Sequence, residues 1–388
     1  MIRLLISLLL AVAAGPAAAQ EKLTAATIAA TVKETNRLIK QNYVFPDKAD
    51  AVTARLSKSL ASGRYAVSDP AVLSERLTED MQAATNDKHM NVKFNPAQAA
   101  ALSAGGSAVP SGAPDQAYFE KLMRTSNYGV SELKILPGNV RYLNLAPIWL
   151  WDPKNSPRAI DDAMRFLKDG DAYIIDIRTN GGGSPAAVRY VTSYLMDPNQ
   201  KLMDYRLAGE APSESRTEKV PGSKLDRPLY VLTSPGSASA SEEFAAHVKN
   251  FKLGKLVGAT TAGAGNRNSI YGTREGFVVS VSVGTALHPV TKAGWEGTGF
   301  APDIAVPPPV ALYAAHLDAL KSLREKAAPQ EQASLDWTIQ ALQAKVRPVK
   351  LPKELLAAYA GSYGERSVRE REGRLFWLLG SQEWDSCL

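Results

Sequence analysis

Residues 172–183, Ala-Tyr-Ile-Ile-Asp-Ile-Arg-Thr-Asn-Gly-Gly-Gly, decide the fold class of this chain. The apolar run over 172–178 predicts a buried strand, and the glycines predict a tight turn into a helix over 185–196. Consecutive glycines permit positive φ and close approach, so their N–H groups can face a ligand anion or oxyanion. A turn without a ligand is the alternative. No Gly-Lys-Ser/Thr follows, which excludes a phosphate-binding P-loop.

Strands and helices alternate on both sides of this stretch. The same reasoning predicts strands over 139–145, 229–232, 256–258 and 276–283, and helices over 157–168 and 242–249. Such alternation predicts an α/β fold with a mixed, largely parallel core sheet and crossover helices. Ligands of such sheets bind beyond the carboxyl ends of the strands, which is where the glycine turn lies.

The remaining segments predict a modular chain. Apolar residues at helical spacing over 24–92 predict an N-terminal three-helix module. A stretch rich in Ala, Gly, Ser and Pro over 93–115 predicts a flexible linker or flap before the α/β core, 116–306. Two amphipathic helices follow over 307–345, and 352–388 predicts a small, partial unit of one helix and a β-hairpin that turns at Glu372-Gly373.

The first 19 residues have the pattern of a cleavable secretory signal. Arg3 provides the positive charge, 4–14 the apolar segment, and Ala17-Ala18-Ala19 the small-residue cleavage site. We therefore expect a periplasmic or secreted protein whose mature chain starts at Gln20. No later apolar run is long enough to cross a bilayer, so no integral membrane segment is expected.

Composition excludes several function classes. The 388 residues are 45% hydrophobic and 22% charged, as in globular proteins, and the net charge of +6 is scattered, which argues against nucleic-acid binding. The one cysteine, Cys387, permits no internal disulfide and no Cys-ligated metal site. Neither a His-Glu-x-x-His helix nor an Asp-rich calcium loop is present, so no metal or cofactor is expected. The oligomeric state is left open.

A second turn, Gly-Ser-Ala-Ser-Ala-Ser-Glu-Glu over 236–243, lies between the strand 229–232 and the next helix. Its central Ser239 would lie beside free backbone N–H groups at the positive end of a helix dipole, a favourable place for a nucleophile. The alternative is structural, because Ser239-x-x-Glu242 is also a capping box that starts a helix.

A serine nucleophile needs a base, and the chain has four histidines. His89 ends the helical module and is the candidate base; its alternative role is as a capping or surface residue. His288 is a candidate for lining the cleft, whereas His247 is expected at the surface or in packing and His316 at the surface. Glu296, flanked by Trp and Gly, is the candidate carboxylate that orients the histidine, or else an ordinary loop glutamate.

The order of these motifs resembles the S41 serine peptidases over residues 24–306. The motifs are those at 176–183, 236–244, 257–263 and 295–303, with Asn-Tyr-Val-Phe-Pro over 42–46 and Asp-Lys-His over 87–89. The resemblance is to the branch without a PDZ domain, similar to interphotoreceptor retinoid-binding protein and to tricorn-type members. It implies a crotonase-like core.

The resemblance also implies site residues. Ser239 matches the nucleophile, and Ala240 with the Gly181-Gly182 turn matches the oxyanion hole. His89 and Glu296 match the histidine and glutamate of tricorn-type members, although Lys88 stands where tricorn has a serine. The processing proteases of the family use a lysine base, and its place here is Ala264.

These matches imply an exported serine peptidase that forms an acyl-enzyme on peptide or protein substrates, including unfolded C-terminal ends. An esterase is not excluded, because acyl transfer to serine does not itself select amide over ester. The alternative from a different class is a non-catalytic binding protein for hydrophobic ligands or peptides on the same scaffold.

Overall fold

The computed structural model describes residues 23–103, 116–145, 147–349, 351–379 and 382–385, so the predicted signal at 1–19 lies outside the described residues. The α-helices in these ranges are α1 Ala25–Asn42, α2 Pro46–Ala61, α3 Pro70–Thr85, α4 Pro96–Ser103, α5 Gln116–Thr125, α6 Ser156–Lys168, α7 Pro185–Ser193, α8 Ala240–Asn250, α9 Ala311–Arg324, α10 Pro329–Val346 and α11 Lys353–Tyr359. The strands are β1 Asn91–Phe94, β2 Val130–Leu136, β3 Val140–Leu145, β4 Ala172–Asp176, β5 Lys201–Leu207, β6 Ser213–Arg216, β7 Leu229–Thr233, β8 Lys255–Gly258, β9 Asn266–Gly272, β10 Phe277–Leu287, β11 Ile304–Ala305, β12 Gly361–Tyr363, β13 Arg366–Arg371, β14 Arg374–Leu379 and β15 Gln382–Asp385. Short 3-10 helices span Asn127–Gly129 and Pro308–Val310.

The central sheet confirms the predicted α/β class. Its strand order is β11-β8-β7-β4-β3-β2, and all neighbours are parallel except β2 and β3. Side chains of β4 alternate between its two faces: Tyr173 and Ile175 pack with α6, α7 and α8, whereas Ile174 packs with α9 and α10. Burial on both faces explains why this strand is an uninterrupted apolar run.

The helical module consists of α1, α2 and α3, as predicted for 24–92. The side chain of Thr24 caps α1, and prolines begin α2 and α3 where a missing N–H costs nothing. Asn86 ends α3 in the left-handed conformation, with φ 55°. The chain then turns directly into the segment that carries His89.

A second, antiparallel sheet was not anticipated. Its order is β1-β10-β5-β6, and β9 pairs with the opposite edge of β10. Strand β1 comes from the module and pairs with β10 in the register Asn91 to Ser280, and Phe277, Val279 and Val281 of β10 complete the module's apolar core. The module and the core therefore share one sheet.

The first part of the predicted linker at 93–115 has regular secondary structure. Residues 91–94 form β1 and 96–103 form α4, while 104–115 lie outside the described residues. An alanine-rich stretch has the composition of a linker, but alanine is also the strongest helix former.

The C-terminal unit is larger than one hairpin. It is a meander of β12, β13, β14 and β15, with the predicted turn at Glu372 and Gly373. Within the described part of the chain, no helix has both the length and the apolar character needed to cross a bilayer.

Candidate active site

Ser239 lies on a strained turn between β7 and α8. Its φ of 54° and ψ of −122° lie outside the regions that L-residues prefer. Such a backbone costs on the order of 1–3 kcal/mol and persists only where its surroundings hold it. The turn therefore presents this side chain in a fixed direction at the positive end of α8.

The three serines of the turn differ in what their hydroxyl groups do. Ser237 is buried and donates to the carbonyl of Ile177 at 2.8 Å, and Ser241 is buried and donates to the carbonyl of Asn180 at 2.7 Å. The hydroxyl of Ser239 donates to no protein group in the described structure, and it borders a cavity of about 550 Å³. Only this hydroxyl of the three is available for chemistry.

Glu242 holds the turn in place. Its side chain is fully buried and accepts four hydrogen bonds: Oε2 accepts from the N–H groups of Ser239 at 3.0 Å and Ala264 at 2.7 Å. Oε1 accepts from the Thr261 hydroxyl at 2.6 Å and the Gly263 N–H at 2.7 Å. The capping-box spacing pointed to the first contact, whereas the other three join α8 to the loop after β8.

The N–H groups of the glycine turn are not arranged as expected. Gly181 donates to the carbonyl of Pro147 at 2.8 Å, and Gly182 donates to the side chain of Asn180 at 2.8 Å. Both of these expected oxyanion donors are therefore already engaged. Gly182 instead provides space, because a Cβ there would lie 2.7 Å from the Cβ of Ser239.

Two N–H groups beside Ser239 remain without an acceptor in the described structure. One belongs to Ala240, as the resemblance implied, and the other belongs to Gly183, which follows the expected pair. Both residues line the same cavity as Ser239. Local sequence could not show which of three consecutive glycines has a free N–H group, because their hydrogen-bond partners come from distant segments.

His89 and Glu296 lie within hydrogen-bond reach. The ring Nδ1 is 3.2 Å from Glu296 Oε2, across 207 residues of sequence. Glu296 is fixed by backbone N–H groups of Gly265 at 2.6 Å and Asn266 at 2.8 Å on Oε2, and of Lys88 at 2.8 Å on Oε1. With Nδ1 facing the carboxylate, Nε2 is the nitrogen left to exchange a proton.

Burial by itself lowers the pKa of His89, but the hydrogen bond to Glu296 and its negative charge outweigh burial. The pKa of His89 is therefore raised above 6.5, with smaller contributions from Asp87 and Glu242. Burial raises the pKa of Glu296, yet its bonds to His89 and Asn266 leave that pKa below the ordinary value. Burial, followed by the charge of Glu296, raises the pKa of Asp87.

Asp87, His89 and Glu296 place potential metal-ligand atoms within 4.8 Å of one another. Their carboxylates are already bound by the protein: Asp87 accepts the N–H of His89 at 3.0 Å and the side chain of Asn266 at 2.8 Å. The three fixed N–H groups on Glu296 point the positive ends of their dipoles at the place where a cation would bind. The arrangement fits a hydrogen-bonded network better than a metal site.

The other three histidines lie elsewhere. His316, expected at the surface, is buried, with Nε2 2.8 Å from the carbonyl of Pro137. His247 is fully buried, 3.6 Å from Glu243. His288 is buried and does not line the cavity; burial and nearby His247 lower its pKa to about 4.

Ser239 and His89 border the same cavity, although no hydrogen bond joins the hydroxyl to the ring. Such bonds are often long in unliganded sites and shorten when substrate binds. Ala264, which the resemblance matches to the lysine of the processing proteases, cannot act as a base, and no lysine lines the cavity. The geometry thus combines a free hydroxyl, two free N–H groups and a carboxylate-bound imidazole.

Comparison with known proteins shows the family of the chain. The model for peptidase family S41 matches residues 139–306, and that for the N-terminal domain of Peptidase S41 in eukaryotic IRBP matches residues 19–128. These two matches include the whole helical module and every strand of the central sheet except β2. The chain belongs to peptidase family S41.

Curated relatives are carboxyl-terminal processing enzymes. The chain is 29% identical over 185 residues to the carboxyl-terminal-processing protease of Synechocystis, over 47% of this chain and 40% of that protein. It is 33% identical over 163 residues to the chloroplastic C-terminal processing peptidase of Tetradesmus obliquus, over 40% of this chain and 33% of that protein. The chain thus matches less than half the length of either relative.

A solved structure supports the fold. The chain is similar to mature CPAF with a TM-score of 0.51 and 15% sequence identity, over 73% of this chain and 93% of that one. At this identity the similarity concerns the fold alone.

Proposed function

We propose that this protein is a serine peptidase that uses Ser239, His89 and Glu296. The observation that carries the proposal is the 3.2 Å contact between His89 and Glu296 on the cavity that also contains the free hydroxyl of Ser239. The family supports a peptidase, and the absence of a lysine at Ala264 favours histidine as the base.

In the proposed reaction, Ser239 Oγ attacks the scissile carbonyl carbon while its proton passes to His89 Nε2. The N–H groups of Ala240 and Gly183 donate to the oxyanion of the tetrahedral intermediate. The intermediate collapses, His89 protonates the leaving amine, and the acyl group stays on Ser239. Water then attacks the ester with His89 as base, releasing the acid. Glu296 orients the ring and stabilises its cationic form.

The test is labelling by a fluorophosphonate, followed by peptide hydrolysis. The native protein should label at Ser239, and Ser239→Ala should abolish labelling and lower turnover by orders of magnitude. Ser237→Ala is the matched control, because it removes a structural hydroxyl two residues away. Equal losses in both variants, with both proteins folded, would show that the turn serves folding only.

A binding protein for apolar ligands or peptides is the second candidate. The missing hydrogen bond between Ser239 and His89, together with the apolar Leu207, Ala286 and Trp295 of the cavity, favours it. Tight binding of a peptide without labelling or turnover would decide for it. An esterase would label and cleave esters but leave matched amides intact.

Export is proposed from the sequence of residues 1–19 alone. Expression of the full chain in a bacterial host, followed by fractionation and N-terminal sequencing, should find a periplasmic protein that starts at Gln20. A cytoplasmic protein with its first 19 residues intact would contradict this proposal.

A further inference from the structure

The cavity beside Ser239 contains a buried acidic group, Glu243, that the proposed reaction does not use. Its residue is 3% exposed, and it lines the cavity together with Ser239. A carboxylate withdrawn from water is costly unless a cation or several donors compensate it. Its surroundings therefore indicate what the cavity is built to receive.

The protein compensates Glu243 only in part. The Tyr205 hydroxyl donates to Oε1 at 2.8 Å, and His247 Nε2 lies 3.6 Å from the same oxygen. Oε2 accepts no hydrogen bond, and no lysine or arginine of the described structure forms an ion pair with Glu243. Glu242, the preceding residue, has four donors by contrast. One carboxylate oxygen of Glu243 is thus left for a ligand.

The cavity walls strengthen this charge. Pro185, Leu207, Ala286 and Trp295 surround it with apolar surface, in which electrostatic attraction is stronger than in water. Arg267 also lines the cavity but is exposed, so water screens its charge. His89 also lines the cavity and belongs to the proposed triad.

The position of Glu243 relative to the nucleophile sets which part of a substrate reaches it. Ser239 caps α8, and Glu243 is four residues further along the same helix. Four residues of helix rise about 6 Å, and residues i and i+4 lie on one face. An extended lysine or arginine side chain spans such a distance from the residue whose carbonyl Ser239 attacks.

We propose that Glu243 selects substrates with a cationic side chain, lysine or arginine, at the residue on the acyl side of the scissile bond. The ammonium or guanidinium group binds the free oxygen of Glu243, and the apolar walls contact the methylene groups of the same side chain. This inference rests on the proposed peptidase function, because that function defines the scissile bond.

The experiment uses peptides that differ only at that residue: arginine against citrulline, which has the same shape without the charge, and lysine against norleucine. Turnover is measured with the native protein, and binding with Ser239→Ala. A charge-assisted contact predicts a preference of about 10- to 100-fold for each cationic peptide. Glu243→Gln should abolish that preference. Glu214→Gln, which removes an exposed acid beside cavity-lining Ser213, should preserve it.

Equal turnover of the arginine and citrulline peptides by the native protein would overturn the inference, and this comparison requires no variant to fold. Persistence of the preference in a folded Glu243→Gln protein would also overturn it. Charge-selective binding to Ser239→Ala without turnover by the native protein would instead overturn the peptidase function and leave the cation site supported.

Discussion

Glu242→Gln tests whether one buried carboxylate holds the proposed nucleophile. Each Glu242 oxygen accepts two hydrogen bonds, from Ser239 and Ala264 on Oε2 and from Thr261 and Gly263 on Oε1. Glutamine has one acceptor oxygen, so in either amide orientation its NH₂ group faces two donors. Two of the four hydrogen bonds are therefore lost, and the glutamine NH₂ group faces two protein donors that no longer have an acceptor.

Hydrogen bonds to charged groups contribute about 1.5–3 kcal/mol each, so losing two should lower the free energy of unfolding by about 3–6 kcal/mol. Urea unfolding measures this loss. The rate of fluorophosphonate labelling should also fall, because the N–H of Ser239 loses its anchor. Glu75→Gln, an exposed change on α3, is the control and should stay within about 0.5 kcal/mol. A loss below about 1 kcal/mol with unchanged labelling would refute the reasoning.

Two further predictions concern the base and the glycine turn. Because a base acts when neutral and the pKa of His89 is raised above 6.5, activity should rise with pH through a midpoint above 6.5 and disappear on acidification. Glu296→Gln removes the negative charge that helps to raise this pKa, so kcat should fall and the midpoint should move to lower pH; an unmoved midpoint in the pH profile would exclude the pairing. Gly182→Ala places a Cβ 2.7 Å from that of Ser239 at φ +107°, and it should slow labelling and lower the melting temperature more than Gly63→Ala, whose φ is +78° with nothing within 4 Å. Equal effects of the two glycine variants would show that only backbone strain is involved.

Local sequence patterns were sufficient to predict the main helices and strands and the parallel character of the central sheet. The apolar run of β4 needed to be buried on both faces, and the sequence therefore predicted a parallel sheet with helices on both sides. The helices of the module followed from apolar residues at helical spacing. Residue matches to a family, rather than spacing, brought His89 and Glu296 together.

Long-range pairing was beyond the reach of the sequence. Strand β10 has the composition of a core strand, but nothing local indicates that it pairs with β1, nearly two hundred residues earlier. Gly183 replaces Gly181 and Gly182 as a proposed oxyanion donor for a similar reason, because Pro147 and Asn180 engage the two glycines before it. His316 lies in a segment with the pattern of a surface helix, yet it is buried, and its ring is paired with the carbonyl of the distant residue Pro137.

Because the module and the core share one sheet, the order of synthesis along the chain decides when the proposed base, His89, can be positioned. His89 belongs to a segment that is synthesised early, whereas β10, Glu296 and Ser239 follow much later. Until a ribosome has released residues 277–296, β1 has no partner strand and the imidazole has no carboxylate. A nascent chain with the module already folded would therefore lack a functional triad. The proposed triad would therefore be assembled only when synthesis of the core is almost complete.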